Sequence, residues 1–190
     1  QENLDDALDH YRKVLDIDPH YAEAHNNLGL LLEGQGEVEL AIGHYREAAR
    51  LKDRDARSRF NLGNALLAVK QVGEALTHLN AAIHLDPNWP DPLNRVAWLR
   101  ATHTDSQIRV PSEALRLAQR AAALTDHQDT WVLDTLATAY ASAHQFDMAL
   151  STAREALTLA VRAEDRELAQ NIRDRMELYA QQIPYREGER

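Results

Sequence analysis

Cysteine is absent from the 190 residues. Disulfides and thiolate chemistry are therefore excluded, while the redox compartment stays open. Positive charge is in short supply: Lys plus Arg number 21 against 30 Asp plus Glu, a formal net charge of −9. Nucleic-acid binding is dominated by cationic contacts to phosphate, so this balance argues against a nucleic-acid partner. It weakly favours basic or neutral partners and helps solubility. No apolar run approaches the roughly 18 residues a spanning helix needs, so direct membrane insertion is not expected. No signal peptide is visible. The chain opens on Gln1 in mid-pattern, however, and reads as an excised segment. The compartment therefore stays unassigned, with the cytoplasm preferred to the periplasm.

Catalytic signatures are missing as well. There is no Gly-rich phosphate loop, no His-Glu-x-x-His and no Cys nucleophile, so neither an enzyme nor a cofactor is expected. Asp5-Asp6 and Glu164-Asp165 are read as carboxylates favoured near helix N-termini.

What the chain has is repetition. AEAHNNLGLLLEGQGEVELAIGHYREAARL, from Ala22 to Leu51, returns 34 residues later as ARSRFNLGNALLAVKQVGEALTHLNAAIHL, from Ala56 to Leu85. Leu28-Gly29 recurs as Leu62-Gly63, Ala41 as Ala75, Ala48 as Ala82 and Leu51 as Leu85. Each copy predicts two antiparallel helices whose apolar stripes one unit cannot bury alone. Leu28 and Leu32, four apart, share a face. Gly29 beside them lets the second helix approach closely. Its cost of roughly 1 kcal/mol relative to Ala implies that packing outweighs propensity there. Ala41, Tyr45 and Ala48 form the facing seam, and Pro87 closes its helix.

The same period organises the remainder. Residues 2–19 match the second half of a repeat, with Ala7, Tyr11 and Ile17 standing 34 before Ala41, Tyr45 and Leu51. Its missing first helix predicts further repeats upstream and an open stacking face. Complete repeats follow at 22–53, 56–87, 90–126 and 130–160. In the third, Val96-Ala97 replaces Leu-Gly, and Ala114 follows Ala75 by 39 residues, an insertion of five. The added stretch from His103 to Val110 is either a tolerated loop extension or a flap over one rim of the groove. Residues 162–183 are expected to cap the array, with Leu168, Ile172, Met176, Tyr179 and Ile183 on the apolar side. Arg166, Glu167, Arg173, Asp174 and Glu177 lie on the polar side. Pro184 to Arg190 is expected to be a mobile tail. The apolar share of 44% suits one folded domain, a single solenoid over 1–190.

From Glu2 to Ile183 the chain resembles tetratricopeptide-repeat (TPR) proteins, whose signature is a 34-residue helical hairpin. The resemblance implies an all-α, right-handed superhelix of about four and a half repeats plus a capping helix. Its concave wall would be lined by the first helix of each pair. Residues 94–159, with the later MELYAQQIPYRE, are similar to C-terminal TPR regions of large bacterial proteins, some with a glycosyltransferase-like part upstream. Co-chaperone TPRs hold acidic C-terminal peptides with a clamp of Lys, Asn and Arg. Here Asn61, Asn64 and Arg95 occupy clamp-like places, but Asn26, Phe60 and Asp91 stand where lysines belong, so the clamp is absent. The O-linked N-acetylglucosamine transferase uses an asparagine ladder. Asn27 and Asn61 match two rungs, and Arg95 and Thr135 break it.

A residue facing away from the Leu-Gly seam should face the groove. This geometry selects Asn27, Leu30, Asn61, Asn64, Arg95, Trp98, Trp131, Asp134 and Thr138. Amides supply both donor and acceptor to a peptide backbone, and Trp and Arg are enriched at hot spots. The expected partner-binding set is Asn27, Asn61, Asn64, Arg95, Trp98, Trp131 and Asp134. The alternative is that the tryptophans pack between neighbouring first helices. His10, His44 and His78 recur at 34 and are expected as a solvated outer ladder rather than a metal site, because helices pack about 8–10 Å apart. Three functions fit: a scaffold holding a protein or peptide partner, a structural array associating with itself through the N-terminal half repeat, and a non-catalytic substrate-recognition region of a larger glycosyltransferase-like protein.

Overall fold

The computed structural model describes residues 2–188, with side chains from Asp6 onward. These residues form ten α-helices and no strand: α1 (Glu2–Ile17), α2 (Ala22–Gly34), α3 (Val38–Leu51), α4 (Ala56–Ala68), α5 (Val72–Leu85), α6 (Pro90–Thr102), α7 (Pro111–Leu124), α8 (Thr130–Ser142), α9 (Phe146–Arg162) and α10 (Arg166–Ala180). None is long and apolar enough to cross a membrane. The helices gather into two compact units, Gln1–Pro87 and Asn88–Arg190. The division falls in the turn that leads to Pro90 and Pro92.

In the first unit, α2/α3 and α4/α5 are the two hairpins that the 34-residue copies predict, and α1 packs on α2. A Cβ on Gly29 would lie 2.6 Å from Tyr45 Cε1, and one on Gly63 would lie 2.7 Å from Leu79 Cγ. Tyr45 is fully buried, and its hydroxyl donates to Glu33 Oε2 at 2.8 Å. The bare glycine face is therefore what lets the second helix close. Each first helix of these hairpins ends by the same device. Residues Gly36 and Lys70 take positive φ, 84° and 61°, and the next N–H returns to the carbonyls of Leu32 and Leu66. This is a Schellman closure.

The second unit contains the hairpins α6/α7 and α8/α9, with α10 packed on α9 and α8. Prolines begin α6 and α7, where a missing N–H costs nothing. Aspartates cap others: Asp129 accepts from the Val132 N–H, and Asp165 accepts from the Leu168 N–H. Asp165 thus occupies the helix N-terminus expected of it, whereas Glu164 lies outside the helix with φ 57°. Of the other acidic pair, Asp6 is exposed on α1 and the side chain of Asp5 lies outside the described residues. The capping segment is shorter than 162–183 suggests, because α9 runs on to Arg162 before α10 begins at Arg166.

The five-residue insertion is tied down. The Val110 N–H bonds the Arg100 carbonyl at 2.9 Å, Arg100 Nη1 bonds the Ile108 carbonyl at 2.8 Å, and Arg109 Nη1 bonds the His103 and Thr104 carbonyls. It is a self-bonded loop rather than a flap.

Candidate functional site

The expected contact residues divide between the two units. In the first unit, Asn27 and Asn61 act partly as clips between helices. Asn27 Nδ2 donates to the Tyr11 hydroxyl at 3.2 Å, joining α2 to α1. Asn61 Nδ2 donates to Asn26 Oδ1 at 2.9 Å, joining α4 to α2. All three amides are half-buried, as is Asn64 on α4, and Leu30 is exposed. Beside Asn26 and Asn27 lies a cavity of about 280 Å³, reached also by Glu23, Lys52, Asp55 and Arg57. Glu23 and Lys52 pair across its mouth at 2.9 Å, and Lys52 holds the Glu23 carboxyl below its ordinary range. The bond between Asn26 and Asn61 uses one polar atom of each side chain, Nδ2 of Asn61 and Oδ1 of Asn26.

The histidine ladder is not solvated as expected. His10 is exposed, but His44 and His78 are half-buried. A first-helix residue covers each: His44 Nδ1 is 3.0 Å from His25 Nδ1, and His78 Nδ1 is 3.3 Å from Arg59 Nη1. Residues 25 and 59 are themselves one period apart, so this contact is part of the repeat. Burial pushes both His44 and His78 below the ordinary value of 6.5, assisted by His25 and by Arg59 respectively. Among the described residues no group of three or more His, Asp or Glu side chains could hold a metal.

In the second unit the expected wall is partly closed. Asp134 and Thr138 do not face an opening, being 2% and 1% exposed. The reason is α10, whose Arg175 was not singled out by sequence. Arg175 Nε and Nη2 bond the two carboxylate oxygens of Asp134 at 3.1 and 2.6 Å, a forked pair. Burial pushes the Asp134 carboxyl up, against the pull of Arg175. Thr138 Oγ1 lies 2.9 Å from the Tyr179 hydroxyl. Asp134, Thr135 and Thr138, within the apolar run of α8 from Val132 to Ala139, are the signal in the sequence that a polar partner covers it.

Trp98 is half-buried, and it does not simply pack between first helices. Its indole N–H donates to Glu187 at 3.1 Å, its ring meets Tyr185 at 5.9 Å between centroids, and the Arg175 guanidinium sits 5.5 Å from both rings. The segment expected as a loose tail is thus seated from Pro184 to Gly188; residues 189 and 190 lie outside the described part. Arg95 is exposed, and Trp131 is 60% exposed.

Family models described as tetratricopeptide or TPR repeats match residues 1–36, 22–55 and 41–90. A comparison with curated proteins finds no match. Among solved structures, MamA is similar over 86% of this chain and 92% of its own, with 21% identity and TM-score 0.73. YrrB, described as a TPR protein with an unusual peptide-binding site, is similar over 86% and 89%, with 21% identity and TM-score 0.66. An O-GlcNAc transferase mutant of Thermobaculum terrenum is 30% identical over 61% of this chain and 22% of its own, with TM-score 0.54. At 21% identity the first two establish shared fold. The repeat models cover residues 1–90, and the hairpins α6/α7 and α8/α9 continue through the second unit the all-α hairpin fold of the tetratricopeptide-repeat structures.

Proposed function

We propose that the chain is a protein-interaction scaffold that holds an extended segment of a partner protein against the first helices of its repeats. The observation that carries the reading is the Asn26–Asn61 amide pair beside the 280 Å³ cavity. Half-buried amides, which carry donor and acceptor together, suit the unpaired N–H and C=O groups of an extended chain. Glu23, Lys52, Asp55 and Arg57 around the cavity add charges of both signs, so a partner would be selected by charge pattern rather than by net charge. The peptide-binding description of YrrB favours the same use of this fold.

The test is selection of binding peptides from a displayed library, followed by fluorescence anisotropy. Asn26→Ala with Asn61→Ala is expected to weaken the selected peptides at least tenfold, about 1.4 kcal/mol. Equal affinity for the double variant and the native chain would refute the assignment. A second reading, a recognition region within a larger glycosyltransferase, is favoured by the 30% identity to the Thermobaculum enzyme. A transferase domain in the same reading frame is its expected mark.

A further inference from the structure

The second unit carries an extended segment laid on its own first helices. Beyond α10 the chain turns at Gln182 (φ 59°) and runs back over α6. The Glu187 N–H donates to the Thr102 carbonyl at 3.1 Å, and Arg186 Nη1 donates to the Ala101 carbonyl at 3.2 Å. Both carbonyls lie in the last turn of α6, where acceptors have no donor within the helix, and that of Ala101 also accepts from Ser142 Oγ at 3.0 Å. The Glu187 carboxylate accepts the Trp98 indole N–H at 3.1 Å and lies 3.4 Å from Thr102 Oγ1. Tyr185 lies against Trp98, and Arg175, anchored by Asp134, presents its guanidinium to both rings. Three consecutive residues thus each have a receptor: a ring place for Tyr185, the Ala101 carbonyl for Arg186, and for Glu187 the Trp98 indole N–H and the Thr102 carbonyl. The receptors are rigid, on α6 and on a cation fixed by a buried pair. The segment itself is only half-buried to exposed, so it is held at its tips and leaves without opening the core.

We propose that residues 183–188 are an intramolecular occupant of a peptide site formed by Trp98, Thr102 and Arg175. When they leave, the site takes an extended partner segment with the same order of groups: an aromatic ring, a cation, then a carboxylate. This deepens the scaffold reading by giving the second unit a partner chemistry and a built-in competitor. A tethered competitor acts at an effective concentration of order mM, so a free peptide meets a largely closed site in the native chain.

The experiment uses the full chain and the labelled peptide IPYREG, which copies residues 183–188, read by anisotropy. Tyr185→Ala with Glu187→Ala removes the occupant's grip while leaving the receptor residues untouched. The peptide is expected to bind this variant at least tenfold more tightly than the native chain. A peptide with alanine at the glutamate should lose that binding, as should the variant carrying Trp98→Phe. No binding to the variant at millimolar peptide, with circular dichroism unchanged, would overturn the proposal and leave the segment as a cover. A native dimer that dissociates on dilution and is absent in the variant would give the site to a second copy, which also overturns it. If the double variant loses helix, Glu187→Ala alone carries the comparison. The probe touches none of Asn26 or Asn61, so failure here and failure of the scaffold reading appear in separate assays.

Discussion

Replacing Gly29 by alanine pits helix propensity against packing at one atom. In an unobstructed helix the change gains roughly 1 kcal/mol. Here the new Cβ would stand 2.6, 2.8 and 3.0 Å from three atoms of the Tyr45 ring. Ordinary carbon contacts lie at about 3.5–4.0 Å, so the ring must retreat by about 1 Å. Tyr45 is fully buried and bonded to Glu33, which leaves it no open direction. Overpacking of this kind costs about 1–3 kcal/mol, and a strained hydrogen bond adds about 1. The net expectation is a loss of about 1–3 kcal/mol. Gly43, exposed in the middle of α3 with nothing within 4 Å of an added Cβ, is the matched control. Gly43→Ala should stabilise by about 0.5–1 kcal/mol. Urea denaturation followed by circular dichroism, reading the transition of the first unit, separates the two variants. If Gly29→Ala shifts the midpoint upward as Gly43→Ala does, the close-approach argument is wrong.

Arg175→Ala or Asp134→Ala strands a buried charge and should each cost about 3–5 kcal/mol. The double variant should cost clearly less than their sum, as a double-mutant cycle by urea denaturation would show. Acidification should weaken the first unit. His44 and His78 titrate below 6.5 in the fold, so the unfolded chain takes up protons first as the pH falls. Their contribution is complete above about 6.5 and declines below it, and His44→Gln with His78→Gln should flatten that decline in the urea midpoint. Trp131→Ala, at a 60% exposed position, should change stability by less than about 0.5 kcal/mol. Trp98→Ala should lower the thermal midpoint of the second unit, and equal effects in melting would contradict the different environments described.

The repeat fold was legible because close helix contact forbids side chains. Gly29, Gly63, Ala41 and Ala75 recur at 34 since a larger atom there meets a neighbour's ring, branch or backbone. What escaped the sequence lacks that constraint. The Asp134–Arg175 pair spans 41 residues rather than 34, because α10 begins 36 residues after α8 and Arg175 lies five residues further along its helix than Asp134 does along its own, so period arithmetic does not find it. Helix geometry alone turns Asp134 and Thr138 toward an open wall, and it does not reveal α10, the helix that covers them. The histidines were placed on the outer surface because their own helices were read alone; the covering residues, His25 and Arg59, come from the preceding helix of the hairpin. Residues 184–188 follow no period, and nothing in their spacing announces a seat on Trp98.

Glu187 and Trp98 are joined across 89 positions of chain, in an architecture where most contacts are between immediate neighbours. A stack of hairpins ordinarily frays from its last helix, one layer at a time. In the second unit α10 does not peel away alone as long as the segment after it stays seated on α6, the first helix of that unit. The beginning and end of the unit therefore share a fate: loosening one strains the other. Hydrogen exchange should accordingly find α6 and α10 opening together, and the longer loop to be closed should make this half the slower to refold.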